Sequence, residues 1–161
     1  MPQPKGMAVL TQLSLTNFKS WREIRQMQFA PITGLFGANS SGKTSILQLL
    51  LMLKQTVESP DRAQALIFGD KRTPVNLGGF EEIIYGHDAE RKLEWDIRWQ
   101  LGEDLRIKEP SERSKTLFAG RDLGFRSSLQ LLAGRVTVEE MAYTFGGYDF
   151  RMYRKPESRN E

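Results

Sequence analysis

Apolar and polar residues alternate in several stretches of this 161-residue chain. A period of two indicates a strand with one buried face. The pattern occurs in five stretches, namely residues 8–15, 22–29, 91–101, 135–143 and 148–153. A polar-aromatic turn at 17–21 separates the first two, and Gly146 and Gly147 turn the chain between the last two. The second half is therefore predicted to be mainly antiparallel β-structure.

The segments between these strands are less regular. A turn at 102–104 followed by residues 105–108 predicts a hairpin partner for the strand at 91–101. The polar, glycine-containing stretch 109–128 predicts a loop with some helix. Residues 63–68 predict a short helix, and Gly78 and Gly79 predict a turn that leads into 80–85.

One stretch has a different pattern. Residues 32–36 form a short apolar run, which predicts a strand, and a glycine-bounded loop follows it. A helix is then predicted from Ser41 or Gly42 to about Val57, with Ser59 and Pro60 ending it. It is apolar nearly all round, so we expect burial on several sides, between a sheet and another layer.

The loop before this helix carries the strongest chemical signal. Residues 37–44 read Gly-Ala-Asn-Ser-Ser-Gly-Lys-Thr and fit G-x-x-x-x-G-K-[ST], the phosphate-binding P-loop. Gly42 lets backbone N–H groups approach phosphate oxygens, Lys43 is placed to reach the β- and γ-phosphates, and Thr44 offers a hydroxyl to Mg²⁺. The alternative is an ordinary strand–turn–helix with a glycine-rich corner. The predicted nucleotide-binding residues are Gly37, Ala38, Asn39, Ser40, Ser41, Gly42, Lys43, Thr44 and Ser45.

Composition and charge limit the class of protein, its cellular location and its partners. The chain is 39% hydrophobic and 27% charged, which is typical of a folded domain, and it has no cysteine for disulfides or metal. Residues 1–7 resemble a mobile leader without a secretory signal, and no apolar run is long enough to span a membrane, so a cytoplasmic location is expected. Residues 1–60 carry six Lys and Arg against two Asp and Glu, which permits a polyanionic partner without requiring one.

The residues before and within the loop resemble a known group. Leu13-Ser14-Leu15-Thr16-Asn17-Phe18-Lys19-Ser20-Trp21 and the loop run at 37–48 are similar to the N-terminal half of the ABC-type ATPase heads of RecF, SMC and OLD-family proteins, especially prokaryotic "AAA family" ATPases. Residues 77–87 also resemble a segment of that group. The resemblance implies an α/β fold, with a mixed sheet around the P-loop helix and an antiparallel β layer.

The same resemblance implies organisation, ligands and partners. One lobe would span 1–161, with a β-β-β-α core at 8–60, antiparallel strands at 75–153 and a charged tail at 154–161. Two heads, as a homodimer or with a complementary ATPase half, would bind ATP and Mg²⁺ between them and act on DNA or a DNA-bound protein, in DNA repair or anti-phage defence. By position, Asn39 matches the loop asparagine of the group, and Lys19 matches a basic residue near the phosphates.

Several parts of a hydrolytic site are not found in the sequence. No run fits the Walker B strand, whose Asp supports Mg²⁺ and whose Glu positions water. Residues 65–70 come nearest, but Gly69 interrupts them. Residues 77–81 only superficially match the ABC signature, and His87 is interpreted as structural. The glutamine that links Mg²⁺ to the antiparallel lobe would be Gln100 or Gln130, although a surface role is favoured for both.

Three explanations stay open for this incomplete set. The chain is a fragment of a longer ATPase, a split subunit completed by a second chain, or a nucleotide-binding module that does not hydrolyse. In an alternative hypothesis the P-loop is vestigial, and Lys19, Arg22 and Arg25 bind DNA or a partner protein. ATPase activity is therefore left undecided by the sequence.

Overall fold

One antiparallel sheet carries the fold of residues 7–155, which are the residues that the computed structural model describes. Its strand order is β2-β1-β3-β4-β5-β6. The strands are β1 (Ala8–Phe18), β2 (Trp21–Gln28), β3 (Leu93–Lys108), β4 (Thr116–Leu132), β5 (Arg135–Phe145) and β6 (Tyr148–Tyr153). The helices are α1 (Lys43–Glu58) and the short α2 (Phe80–Ile83), followed by a 3₁₀ turn at Tyr85–His87.

The alternating pattern places the core on one face of the sheet. Leu13 and Leu15 of β1 pair with Ile97 and Trp95 of β3, so their side chains project to the same side and are buried. Helix α1 packs on this face. Its buried residues follow helical spacing, and Ile46, Leu49 and Met52 are at most 1% exposed.

The predictions for the regular elements are confirmed where a local pattern defined them. Helix α1 begins and ends within two residues of the prediction, and β6 has the predicted bounds. Burial of α1 was predicted wrongly, however. Leu47 is 54% exposed and Val57 is 73% exposed, so within residues 7–155 the helix is covered on one face only.

The mixed sheet was also predicted wrongly, because every pairing in the described sheet is antiparallel. Residues 32–36 form no strand, and Ile32 and Phe36 are 93% and 95% exposed. A strand requires a neighbour for its backbone hydrogen bonds, and no described strand lies beside this segment. The strand predicted from this short apolar run was therefore wrong for the described residues.

Two further corrections concern β3 and β4. No turn forms at 102–104, and β3 runs on to Lys108, because the register of its pairing with β4 shifts between Gln100 and Leu105 and absorbs the extra residues. The predicted loop at 109–128 is mostly strand β4. Pairing on both sides, with β3 and β5, stabilises this polar, glycine-containing stretch as a strand.

The predicted helix at 63–68 does not form either. These residues run irregularly alongside α1 and are held by its side chains. Gln55 Nε2 donates to the Ile67 carbonyl at 2.8 Å, and the Ile67 N–H donates to Thr56 Oγ1 at 3.0 Å. These side-chain bonds take the place of helical ones. The predicted leader and tail lie outside the described residues, apart from Met7, Arg154 and Lys155.

Candidate functional site

The glycine-bounded loop leads directly into α1, and Gly42 is the residue just before the helix. Gly42 has a φ of 83°, in the left-handed region that favours glycine. A Cβ at this position would lie against Ser20 Oγ and only 2.8 Å from Trp21 Nε1. The indole of Trp21 donates to the Gly42 carbonyl at 2.9 Å. The start of β2 therefore fixes the end of the loop, and only glycine fits there.

Backbone donors are available at the start of the helix. Within residues 7–155, the N–H groups of Gly42, Lys43 and Thr44 donate to no other protein group. The first N–H groups of any helix lack intrahelical partners, and the helix dipole adds partial positive charge there. Together they form a site suited to phosphate oxygens.

Lys43 lies folded over the loop that precedes it. Its Nζ donates to the Gly37 carbonyl at 2.7 Å, to the Ala38 carbonyl at 2.5 Å and to Ser41 Oγ at 3.2 Å. All three acceptors are uncharged oxygens, so the ammonium group has no charged partner among them. Three oxygens of the preceding loop therefore fix the position of the ammonium group at the start of α1.

The predicted Lys19 lies beside the same loop. It occupies the turn between β1 and β2, and its Nζ donates to Gln48 Oε1 at 2.8 Å, one helical turn beyond Thr44. Its backbone N–H donates to the Ile83 carbonyl at 2.6 Å, so the segment at 77–87 supports this turn. Lys19 and Lys43 therefore approach the start of α1 from two different elements.

These residues surround an open cleft of about 440 Å³. Its lining contains two lysines and no acidic residue, so it favours an anion. Of the predicted residues, Gly37 and Ala38 do not line the cleft and instead contribute the carbonyls that hold Lys43. The lining residues are Lys19, Ser20, Asn39, Ser40, Ser41, Gly42, Lys43, Thr44 and Ser45.

Sequence reasoning did not assign roles to Ser20, Trp21 and Gln48. Ser20 and Trp21 lie within the motif at 13–21. Their approach to Gly42 joins residues 22 and 21 positions apart, which no local pattern reveals. Gln48 faces Lys19 because it lies one helical turn beyond Thr44. Helical spacing would have predicted this contact if Lys19 had been placed beside the start of α1.

Other candidate residues lie outside the cleft. Gln100 and Gln130 are on β3 and β4 and do not line it. His87 Nδ1 lies 2.9 Å from the Glu81 carbonyl, so its ring is held within the segment at 77–87. Asp70 Oδ1 accepts a hydrogen bond from the Arg72 N–H in a tight turn.

A Mg²⁺ ion fits the donor set at the start of α1. Thr44 is exposed there and supplies one hydroxyl. No cluster of three or more His, Cys, Asp or Glu that could hold a metal occurs in residues 7–155. Mg²⁺ bound with nucleotides characteristically takes only one or two protein ligands, and phosphate oxygens and water complete its shell. One protein hydroxyl is therefore compatible with a nucleotide-bound ion.

A glycine-bounded loop, a lysine and a hydroxyl at the N-terminus of a helix define the P-loop class of nucleotide-binding proteins. The chain belongs to the AAA ATPase domain family, whose sequence profile matches residues 9–113. The match confirms the resemblance to RecF-, SMC- and OLD-like P-loop ATPases. No curated protein and no solved structure matches the chain. Within the described part of the chain, no helix has the length and apolarity to cross a membrane.

Proposed function

We propose that the cleft at the start of α1 binds the triphosphate of ATP together with Mg²⁺. The observation that carries this proposal is the convergence of Lys43, Lys19 and the unpaired N–H groups of residues 42–44 on a cleft without acidic lining. Anion binding at such a helix terminus follows from backbone geometry and the helix dipole. The family supplies the identity of the anion as part of a nucleotide.

Each residue has a defined task in this proposal. Lys43 exchanges the carbonyls of Gly37 and Ala38 for β- and γ-phosphate oxygens, which are charged and therefore stronger acceptors. Thr44 donates its hydroxyl oxygen to Mg²⁺, which neutralises phosphate charge when bound. Lys19 approaches from the β1–β2 turn, and Gln48 orients its ammonium group.

Binding and hydrolysis of ATP require different residues. Hydrolysis by this class of protein uses a carboxylate to support Mg²⁺ and another to position water. The cleft lining contains neither in the described residues. We infer that these carboxylates come from a Walker B segment, and that the other half of the nucleotide site comes from a second head or a complementary ATPase half. DNA repair or anti-phage defence, on DNA or a DNA-bound protein, is the role that the resemblance implies.

Nucleotide binding by a lysine variant tests the central step. Lys43→Ala should weaken binding of Mg²⁺–ATP about tenfold or more in isothermal titration calorimetry, because it removes the charge closest to the phosphates. Lys54→Ala is the matched control. Lys54 lies on the same helix, is exposed and pairs with Glu58 at 2.6 Å, away from the cleft.

Each outcome has a clear meaning. Wild type and Lys54→Ala should bind equally, and chelation of Mg²⁺ should weaken both. If Lys43→Ala binds Mg²⁺–ATP as tightly as wild type while remaining folded, the proposed site is wrong. Failure of folded wild-type protein to bind ATP would favour the alternative of a vestigial P-loop.

A further inference from the structure

The outer strand β6 leaves one edge of the sheet open. In the sheet formed by residues 7–155, β6 pairs with β5 on one side and with no strand on the other. Its large apolar side chains are strongly exposed, including Tyr148 at 57%, Met152 at 55% and Tyr153 at 61%. An exposed edge of this kind is a template for pairing with another strand.

The β5–β6 ladder shows which backbone groups point outward. The Arg154 N–H donates to the Glu139 carbonyl at 3.0 Å, in line with the β5–β6 register. The N–H and C=O groups of successive residues point to opposite sides of an antiparallel strand. The backbone N–H of Arg154 points toward β5. The N–H and C=O groups of Asp149 and Arg151, which are an odd number of residues away, therefore point outward.

The edge is also regular. The β5–β6 ladder runs through six consecutive pairs without a shift, whereas each of the other four ladders contains a bulge or irregularity. Bulges are one means by which proteins prevent edge strands from pairing. The outer strand at the opposite edge, β2, has a shifted register in its pairing with β1, and β6 has no such protection.

The charges on β6 suit pairing with an identical strand. Asp149 and Arg151 lie two residues apart on one face, with Arg151 Nη2 at 3.0 Å from Asp149 Oδ2. Antiparallel pairing of two β6 strands around a two-fold axis at Phe150 places Asp149 of each copy opposite Arg151 of the other. Two neighbouring registers use the same outward groups. One places Asp149 opposite Asp149, and the other places Arg151 opposite Arg151. Like charges directly opposite each other are destabilising, so charge selects one register.

The apolar face is compatible with that register. Phe150 of each copy lies opposite the other Phe150, and Tyr148 lies opposite Met152, which gives aromatic and sulfur–aromatic cross-strand pairs. The ring of Phe118 supports this surface from β4, with its centroid 5.0 Å from that of Tyr148 and 5.3 Å from that of Phe150.

We propose that a second copy of this chain docks on β6, forming a two-fold dimer in which the sheet continues from one subunit into the next. The proposed nucleotide cleft lies by β2, five strand spacings away, or about 24 Å at the usual spacing. Because β6 is this far from the cleft, we expect the dimer to form without ATP. It is distinct from an association of two heads across a nucleotide.

Charge reversal on β6 tests this dimer in the absence of nucleotide. Sedimentation equilibrium of the wild-type chain should give a dimer. Asp149→Arg and Arg151→Asp should each raise the dimer dissociation constant about tenfold or more, because each places like charges opposite each other at both symmetric positions. An equimolar mixture of the two variants should form a heterodimer, because opposite charges then face each other at both positions.

Controls keep the result interpretable. Arg151→Lys retains the charge and should dimerise like wild type, and Lys43→Ala should do so as well because its change lies in the distant cleft. Asp149 also accepts a hydrogen bond from Thr144 Oγ1 at 2.7 Å. If Asp149→Arg does not fold by circular dichroism, Arg151→Asp compared with Arg151→Lys decides the question. A monomeric wild type, equal dimerisation of Arg151→Asp and wild type, or two folded reversal variants that do not combine would each overturn the proposal.

Discussion

The two edges of the sheet are built in different ways. At the β2 edge, Trp21 holds Gly42 and the loop leads into α1, which buries the apolar face over β1 and β3. At the β6 edge the same face continues uncovered within the described residues, and Tyr143 and Phe150 are about 40% exposed. The family match ends at residue 113, before β4 begins. The covered side thus holds the candidate nucleotide site, and the open side offers surface for association.

The covered side should supply most of the stability, through the contact between α1 and the sheet. Leu49→Ala should lower the free energy of unfolding by about 2–5 kcal/mol, because Leu49 is fully buried and its removal leaves a cavity. Urea denaturation followed by circular dichroism measures this. Leu47→Ala on the same helix is the control, and it should change stability by no more than about 0.5 kcal/mol because Leu47 is 54% exposed. Equal effects of the two changes would show that both faces of α1 are covered.

Two glycines with nearly the same φ angle sharpen the comparison between the edges. Gly42 has a φ of 83° at the covered edge and Gly147 has a φ of 82° in the β5–β6 turn. Gly147→Ala should cost only the backbone strain of about 1–2 kcal/mol, because nothing lies within 4 Å of the added Cβ.

Gly42→Ala should cost more than Gly147→Ala, because its Cβ meets Ser20 and Trp21. It should also abolish the proposed ATP binding by displacing the loop. Urea denaturation and calorimetry of both variants measure the difference. If the two alanine variants are equally stable and both bind ATP, the loop is not held by the start of β2.

Local patterns were sufficient to predict much of this fold. Alternation identified β1, β2, β5 and β6, and helical signals identified α1, because each of these elements has a hydrophobic pattern of its own. Strand β4 was missed because its glycines and polar residues match a loop, and its stability comes from two distant neighbours. Residues 32–36 had the composition of a strand but lack a neighbour among the described strands. In both cases the presence or absence of neighbouring strands decided the structure, and the local composition did not.

The candidate site shows the same division. The P-loop residues were predicted from the spacing of the motif and the apolar runs on either side of it, because their chemistry depends on consecutive backbone groups. The bonds from Trp21 to Gly42 and from Lys19 to Gln48 required the fold of the β1–β2 turn against α1. Side chains that support a loop from another element leave no periodic pattern in the sequence.

The smallest expected effect concerns the open half of the sheet. Tyr143 of β5 is 42% exposed and its ring lies 5.0 Å from that of Phe125, tilted by 31°. Tyr143→Ala should lower the free energy of unfolding by about 1 kcal/mol, since an aromatic pair with one exposed ring contributes only modestly. Tyr143→Phe retains the ring and should match wild type in urea denaturation. A loss from Tyr143→Ala as large as that from Leu49→Ala would mean that this half of the face is covered in solution, and the contrast between the two edges would then fail.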